Sequence, residues 1–203
     1  MNPTLSGLTL LWGLMKTKLH LGCGGRYLPG YLHIDIDDLE HVDYVTSINK
    51  LYMFEDESVD EIYTCGALIY CDREEIPGVL SEWRRVMKPG AALRISVPDF
   101  ESIIQRYFDS GKILESRGIL GPLFGRWPAS GVRTGLSPEP IYQKTTYDFS
   151  SLKRSLENNG FKDVKKYDWK NFLPADYDDY SKAYYPHMDE SGMLMVLNVE
   201  CVK

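Results

Sequence analysis

The residues best suited to chemistry lie close together near the start of the chain. Gly22, Cys23, Gly24 and Gly25 follow the apolar run Lys18-Leu19-His20-Leu21 directly. A second run, Tyr31-Leu32-His33-Ile34-Asp35-Ile36-Asp37, comes almost at once and ends in acids. Glycines after a strand let a ligand approach the backbone where any Cβ would collide. A carboxylate ending the neighbouring strand can accept hydrogen bonds from ribose hydroxyls. Together these residues describe the floor and one wall of a nucleoside pocket. A tight turn and a solvated strand end are the plainer readings of the same glycines and of Asp35.

Other chemistry is less well supported. Cys23, Cys65, Cys71 and Cys201 show no C-x-x-C spacing, and the histidines lie far apart in sequence, so no zinc signature follows. Cys23 reads as a small buried residue, and reduced thiols point to a cytoplasmic protein. The net charge is −6 and no Lys/Arg run stands out, which argues against a nucleic-acid partner. At 203 residues, 43% hydrophobic and 26% charged, the chain is expected to form one globular domain over 15–203. Residues 1–14 carry five leucines and a tryptophan, too short a run to span a bilayer, and are read either as an extension or as a packed helix.

The elements that must position the glycines and acids follow from periodicity. From Gly22 to Tyr31 the chain is too short for an ordinary helical crossover of a dozen or more residues. Extended, it still reaches back along a short strand. A loop or single helical turn is therefore expected, with bare backbone N–H groups rather than a helix dipole facing the ligand. Short strands are expected at 42–45 and 59–65, and a helix within 72–87 starting near Pro77 and stopped by Lys88-Pro89-Gly90. A buried strand follows at 91–97. Asp99 then caps a helix to about Ser110, with Ile103, Ile104, Tyr107 and Phe108 facing inward. Residues 117–146, rich in Gly and Pro, read as a long loop, with a lid as one possibility. Asp148 caps a further helix closed by Asn159-Gly160. Final strands at 161–169 and 193–202 bracket a tyrosine-rich insert, 170–192. Its tyrosines read as packing, with an aromatic rim for a planar acceptor as the alternative.

Alternating strands and helices predict an α/β fold with a mostly parallel sheet. Ligands of such sheets sit beyond the carboxyl ends of the strands. Gly22–Gly25, Asp35–Asp37, Ser47-Ile48, Cys65–Ala67 and Asp99 all fall there.

The ordered series KLHLGCGG, HIDID, SVDEIY and SEWRRVMKPGAALRISVPD resembles class I S-adenosylmethionine-dependent methyltransferases. It is most similar to a small bacterial group whose chains often end like this one, PHMDESGMLMVLNVECVK, and which is often associated with surface-polysaccharide synthesis. The resemblance covers roughly residues 15–203. It implies a Rossmann-like, seven-stranded, mostly parallel sheet with the last strand antiparallel, and a methyl acceptor of small-molecule or glycan type. Gly22, Cys23 and Gly24 would lie against the methionyl part of S-adenosylmethionine. Asp35 would hold the ribose, Ile36 would flank the adenine, and Ser47 and Ile48 would meet its polar edge. Cys65 and Gly66 would sit near the sulfonium. Asp99 and His187 are candidate bases; helix capping and a surface or hinge position are their plainer roles. No metal is required for such a reaction.

Three positions depart from the family pattern. His20 stands where an acid or Asn is common, and Ser47 where Asp is common. Gly66-Ala67-Leu68-Ile69-Tyr70 replaces a segment commonly reading H-V-L-E-H. That loss motivates an alternative, a non-catalytic cofactor-binding or interaction protein. A nicotinamide dehydrogenase is disfavoured, because Gly22, Gly24 and Arg26 do not complete G-x-G-x-x-G and Asp35 follows the glycines too soon. The oligomeric state stays open.

Overall fold

Residues 16–125, 141–187 and 189–203 are described by the structure, a computed structural model. The expected extension 1–14, and residues 126–140 of the expected long loop, lie outside the described residues.

Short runs of alternating side chains form the strands β1 (Lys18–Leu21), β2 (Leu32–Asp35), β3 (Tyr44–Val45) and β4 (Val59–Cys65). Strands β5 (Met87–Pro98) and β6 (Lys162–Lys166) follow. A small ribbon pairs β7 (Tyr184–Tyr185) with β8 (Met193–Leu194), and β9 (Val196–Val202) completes the main sheet. The main sheet has seven strands in the order β3-β2-β1-β4-β5-β9-β6. Strand β9 runs antiparallel between β5 and β6, and every other pairing in the sheet is parallel. This is the expected Rossmann-like sheet with its last strand antiparallel.

Helix α1 (Ile76–Val86) begins with Pro77 in its first turn and buries Ile76, Val79, Leu80, Trp83 and Val86, an i, i+3, i+4, i+7 stripe. It ends one residue before β5, so Lys88-Pro89-Gly90 belong to the start of the strand rather than to a separate stop. Helix α2 (Phe100–Asp109) is capped by Asp99, whose side chain accepts from the Glu101 amide. Its inner face is narrower than its periodicity predicts. Ile103 is buried, but Ile104 and Phe108 are 39% and 55% exposed, because few of the described residues pack beside the helix on that side. Inside the expected loop the chain forms a short helix, α3 (Leu120–Phe124). Helix α4 (Phe149–Asn158) opens with a reciprocal cap between Asp148 and Ser151. The predicted strand 161–169 shortens to β6, and Trp169 starts a 3₁₀ turn instead.

The two faces of the sheet differ. Leu19, Leu21, Ile34, Ile62, Leu93, Ile95, Leu197 and Val199 form one apolar core with α1 and α4. On the opposite face Tyr63 packs with Leu28, Trp169, Leu173 and Tyr177, so the tyrosine-rich insert covers that side in place of helices.

Candidate functional site

The loop after β1 has no helix. Its sharp bend is held by the Gly22 amide donating to the Ile34 carbonyl at 2.7 Å, and by the Arg26 amide donating to Cys23 at 3.1 Å. Gly22 has φ +66°, and a Cβ there would lie 2.3 Å from the Ala67 Cβ, so this glycine locks the β1 and β4 loops together. Gly24 (φ +51°) and Gly66 (φ +74°) also need positive φ, but a Cβ on either would meet nothing within 4 Å. These two glycines, at the carboxyl ends of β1 and β4, therefore face open space. That open space, at the strand ends where ligands of parallel sheets sit, is the candidate cradle.

Asp35 ends β2 beside this cradle and is 7% exposed. One carboxylate oxygen accepts from the Gly24 amide at 2.7 Å and the other from the Asp37 amide at 2.9 Å. A carboxylate has about four acceptor positions, so each oxygen keeps capacity for a further donor. The expectation of bare amides facing a ligand needs correction. The Gly22 and Cys23 amides point to Ile34 and the Gly24 amide to Asp35, leaving the Gly25 amide without a partner among the described residues. Sequence spacing shows the glycines but not this internal use of their donors.

Ile36 is 37% exposed next to Asp35, an apolar surface available to a planar group. Ser47 is half-buried. The Ile48 side chain belongs to the apolar core, and its carbonyl accepts from the Trp83 indole N–H at 2.7 Å. Helix α1 thereby fixes the 47–48 turn. Cys23 is buried, and burial with the nearby Asp35 charge pushes its thiol up to about 12. It is a packing group, not a nucleophile. Cys65 packs against the cluster of Tyr63 and Tyr177, and burial with the charge of Asp179 raises its thiol well above the ordinary range.

The proposed bases part company. Asp99 is 8% exposed and caps α2, accepting from the Glu101 amide at 3.1 Å and the Ser102 hydroxyl at 3.3 Å. His187 is exposed just beyond β7, and no described hydrogen bond or ring contact ties it to the glycine loop.

Sequence distance hid two clusters. His20 and His33 are register partners on β1 and β2, and their rings lie 5.5 Å apart; His33 and His41 are 5.6 Å apart. The Leu28 amide donates to His33 Nε2 at 2.8 Å, so its proton sits on Nδ1, 3.5 Å from Asp43. His41 Nε2 donates to the Gly24 carbonyl at 2.9 Å. These histidines brace the loop, and no group able to hold a metal ion is found among the described residues. The second cluster joins Tyr63, Asp179 and Ser181 below the insert. Only the register pairing His20↔His33 was recoverable from strand alignment.

A surface hollow of about 490 Å³ lies at the opposite pole, by the amino ends of β4 and β5, lined by Asp56, Glu57, Arg84, Arg85 and Lys203. Its charges largely pair with one another, Arg85 with Asp56 and Lys203 with Glu57, so it reads as a solvated ion-pair surface.

Residues 19–95 match the family model described as methyltransferase domain. The chain is similar in structure to an S-adenosylmethionine-dependent methyltransferase of Archaeoglobus fulgidus, at 16% identity and TM-score 0.53, covering 98% of this chain and 92% of that one. It is similar to another of Methanosarcina mazei, at 16% identity and TM-score 0.50, covering 99% of each. A third likeness is to the 1,6-didemethyltoxoflavin N1-methyltransferase of Burkholderia thailandensis, solved with 1,6-didemethyltoxoflavin and S-adenosylhomocysteine bound. There the identity is 13% and the TM-score 0.50, covering 98% of this chain and 75% of that one. At these identities the likeness shows the fold. The family model thus matches residues 19–95, and across the rest of the chain the likeness is one of fold. No curated protein matches the chain in sequence.

Proposed function

We propose that residues 15–203 act as one domain that transfers a methyl group from S-adenosylmethionine to a small-molecule acceptor, with a glycan-type acceptor suggested by the family resemblance alone. The observation that carries this reading is the open cradle at Gly24 and Gly66 with the Asp35 carboxylate beside it. In it Gly22, Cys23 and Gly24 line the methionyl portion, Asp35 accepts from the ribose hydroxyls, and Ile36 covers one face of the adenine. Ser47 and the Ile48 backbone border its polar edge, and Cys65 and Gly66 border the sulfur.

When bound, the cofactor supplies an activated methyl group and its own leaving group, so the residues of the chain mainly orient and exclude water. Asp99, which also caps α2, and the exposed His187 are the candidate bases for an acceptor that must lose a proton; neither is needed if the acceptor is an uncharged amine or a carboxylate. Four free cysteines fit a reducing, cytoplasmic setting, and no described helix is long and apolar enough to cross a membrane.

The second reading, a cofactor binder without turnover, is favoured by Gly66-Ala67-Leu68-Ile69-Tyr70, where Leu68 and Ile69 are buried and supply no polar group. Incubation with S-adenosylmethionine labelled in its methyl group, against pools of amines, carboxylates, phenols and sugars, separates the two. A labelled product with matching S-adenosylhomocysteine supports transfer. Cofactor binding with no product from any pool favours the binder.

A further inference from the structure

Asp179 is a buried carboxylate that neither the fold nor the cofactor cradle accounts for. It is 8% exposed and opens the 3₁₀ turn Tyr180–Lys182 on the sheet face where Cys65 ends β4. Every group bonded to it is neutral. The Tyr63 hydroxyl donates to one oxygen, and the Ser181 amide and hydroxyl donate to the other at 2.9 and 2.5 Å. Among the described residues no Lys, Arg or His pairs with it. Arg26, across the glycine loop, pairs with Asp178 instead, at 3.6 Å. A carboxylate removed from water without a cation is costly, and capping a three-residue turn needs no buried charge.

A second group points the same way. Tyr177 is 8% exposed, and its buried hydroxyl has no hydrogen-bond partner. It packs with Leu28 of the glycine loop and with Tyr63 and Cys65 of β4, within electrostatic reach of Asp179 and of Arg26. A charge lacking its cation and a hydroxyl lacking its partner thus belong to one cluster, with Tyr63 and Cys65 at the end of β4.

We propose that Asp179 is the counter-ion of the cofactor's sulfonium, with the Tyr177 hydroxyl lining the same position, so that the site tells the charged methyl donor from its neutral demethylated product. The inference rests on the cofactor reading above. In a water-poor setting a carboxylate attracts a cation far more than in bulk solvent, and gains little from a neutral thioether. Donor and product differ by that one charge. The site therefore holds the donor, and its grip loosens once the methyl group has left.

The test is the affinity of Asp179→Asn for S-adenosylmethionine and for S-adenosylhomocysteine, by calorimetry. Donor affinity is expected to fall at least about tenfold, as for a lost charged contact, while product affinity stays within about twofold. Equal losses for both, as a purely structural role would give, or no loss for either, overturn the inference. Should the variant not fold, the wild-type protein decides. A cofactor analogue carrying a protonated amine in place of the methylsulfonium is expected to bind at least about tenfold tighter than S-adenosylhomocysteine, and equal binding overturns the proposal. Wild-type protein that binds both natural ligands without discrimination removes this inference alone. Wild-type protein that binds neither removes the cofactor reading as well.

Discussion

Gly22 and Gly24 both sit at positive φ, yet a methyl group added to each meets different surroundings. At Gly22 the new Cβ would collide with Ala67 at 2.3 Å, whereas at Gly24 it would enter open space. Gly22→Ala is therefore expected to cost about 2–5 kcal/mol of stability, from left-handed strain and overpacking together. Gly24→Ala is expected to cost only about 1–2 kcal/mol, yet to weaken S-adenosylmethionine binding about tenfold or more by filling the cradle. Urea denaturation and calorimetry on the two variants separate the effects. Equal cofactor affinity in Gly24→Ala and wild type would show that no ligand approaches there. The glycines and Asp35 were legible in the sequence because a strand, a bend and a strand end lie within a short stretch. The partnership of Asp179 with Tyr63 was not, since 116 residues separate them and no periodicity links an insert to a central strand.

Strands β1 and β2 carry this logic to a larger scale. Their parallel register brings His20 beside His33, both buried. His20 is 2% exposed, and its Nδ1 has no hydrogen-bond partner. Burial first, then the neighbouring His33 and His41, holds its pKa down to about 3. Unfolded, the ring titrates at its ordinary value near 6.5. Between those values the unfolded chain binds the extra proton, so this stability is complete above pH 6.5 and is lost as pH falls toward 3. At pH 5 the loss from His20 alone is about 2 kcal/mol relative to pH 8. Burial lowers His33 in the same direction. His20→Phe, which keeps a ring, is expected to lose less stability than wild type between pH 8 and pH 5 in urea unfolding. An identical loss in both proteins would place the acid sensitivity elsewhere. At this scale the cap residues Asp99 and Asp148 and the missing crossover helix were readable, each resting on local chemistry. The reading went wrong at Ile104 and Phe108, because helical spacing reports which residues can face a core and not how far that core extends.

Across the whole molecule, the sheet has an apolar face packed under α1 and α4 and a polar-aromatic face roofed by the insert. Strand alternation within the sequence anticipated the first face. The second depends on pairing β9 with both β5 and β6, which draws Asn198 toward Ser96 and carries the insert over the end of β4. That long-range closure sets Tyr177 and Asp179 beside the glycine loop, and it exists only in three dimensions. The proposed function requires this junction to accept an adenosine bearing a sulfur side chain. The most direct measurement is a calorimetric titration of S-adenosylhomocysteine into wild-type protein and Asp35→Ala. Saturable one-to-one binding to wild type is expected, weakened by about 1.5–3 kcal/mol in a folded Asp35→Ala variant, since charge-assisted hydrogen bonds to the ribose are lost. No binding to wild type, or the same affinity in both proteins, would contradict it.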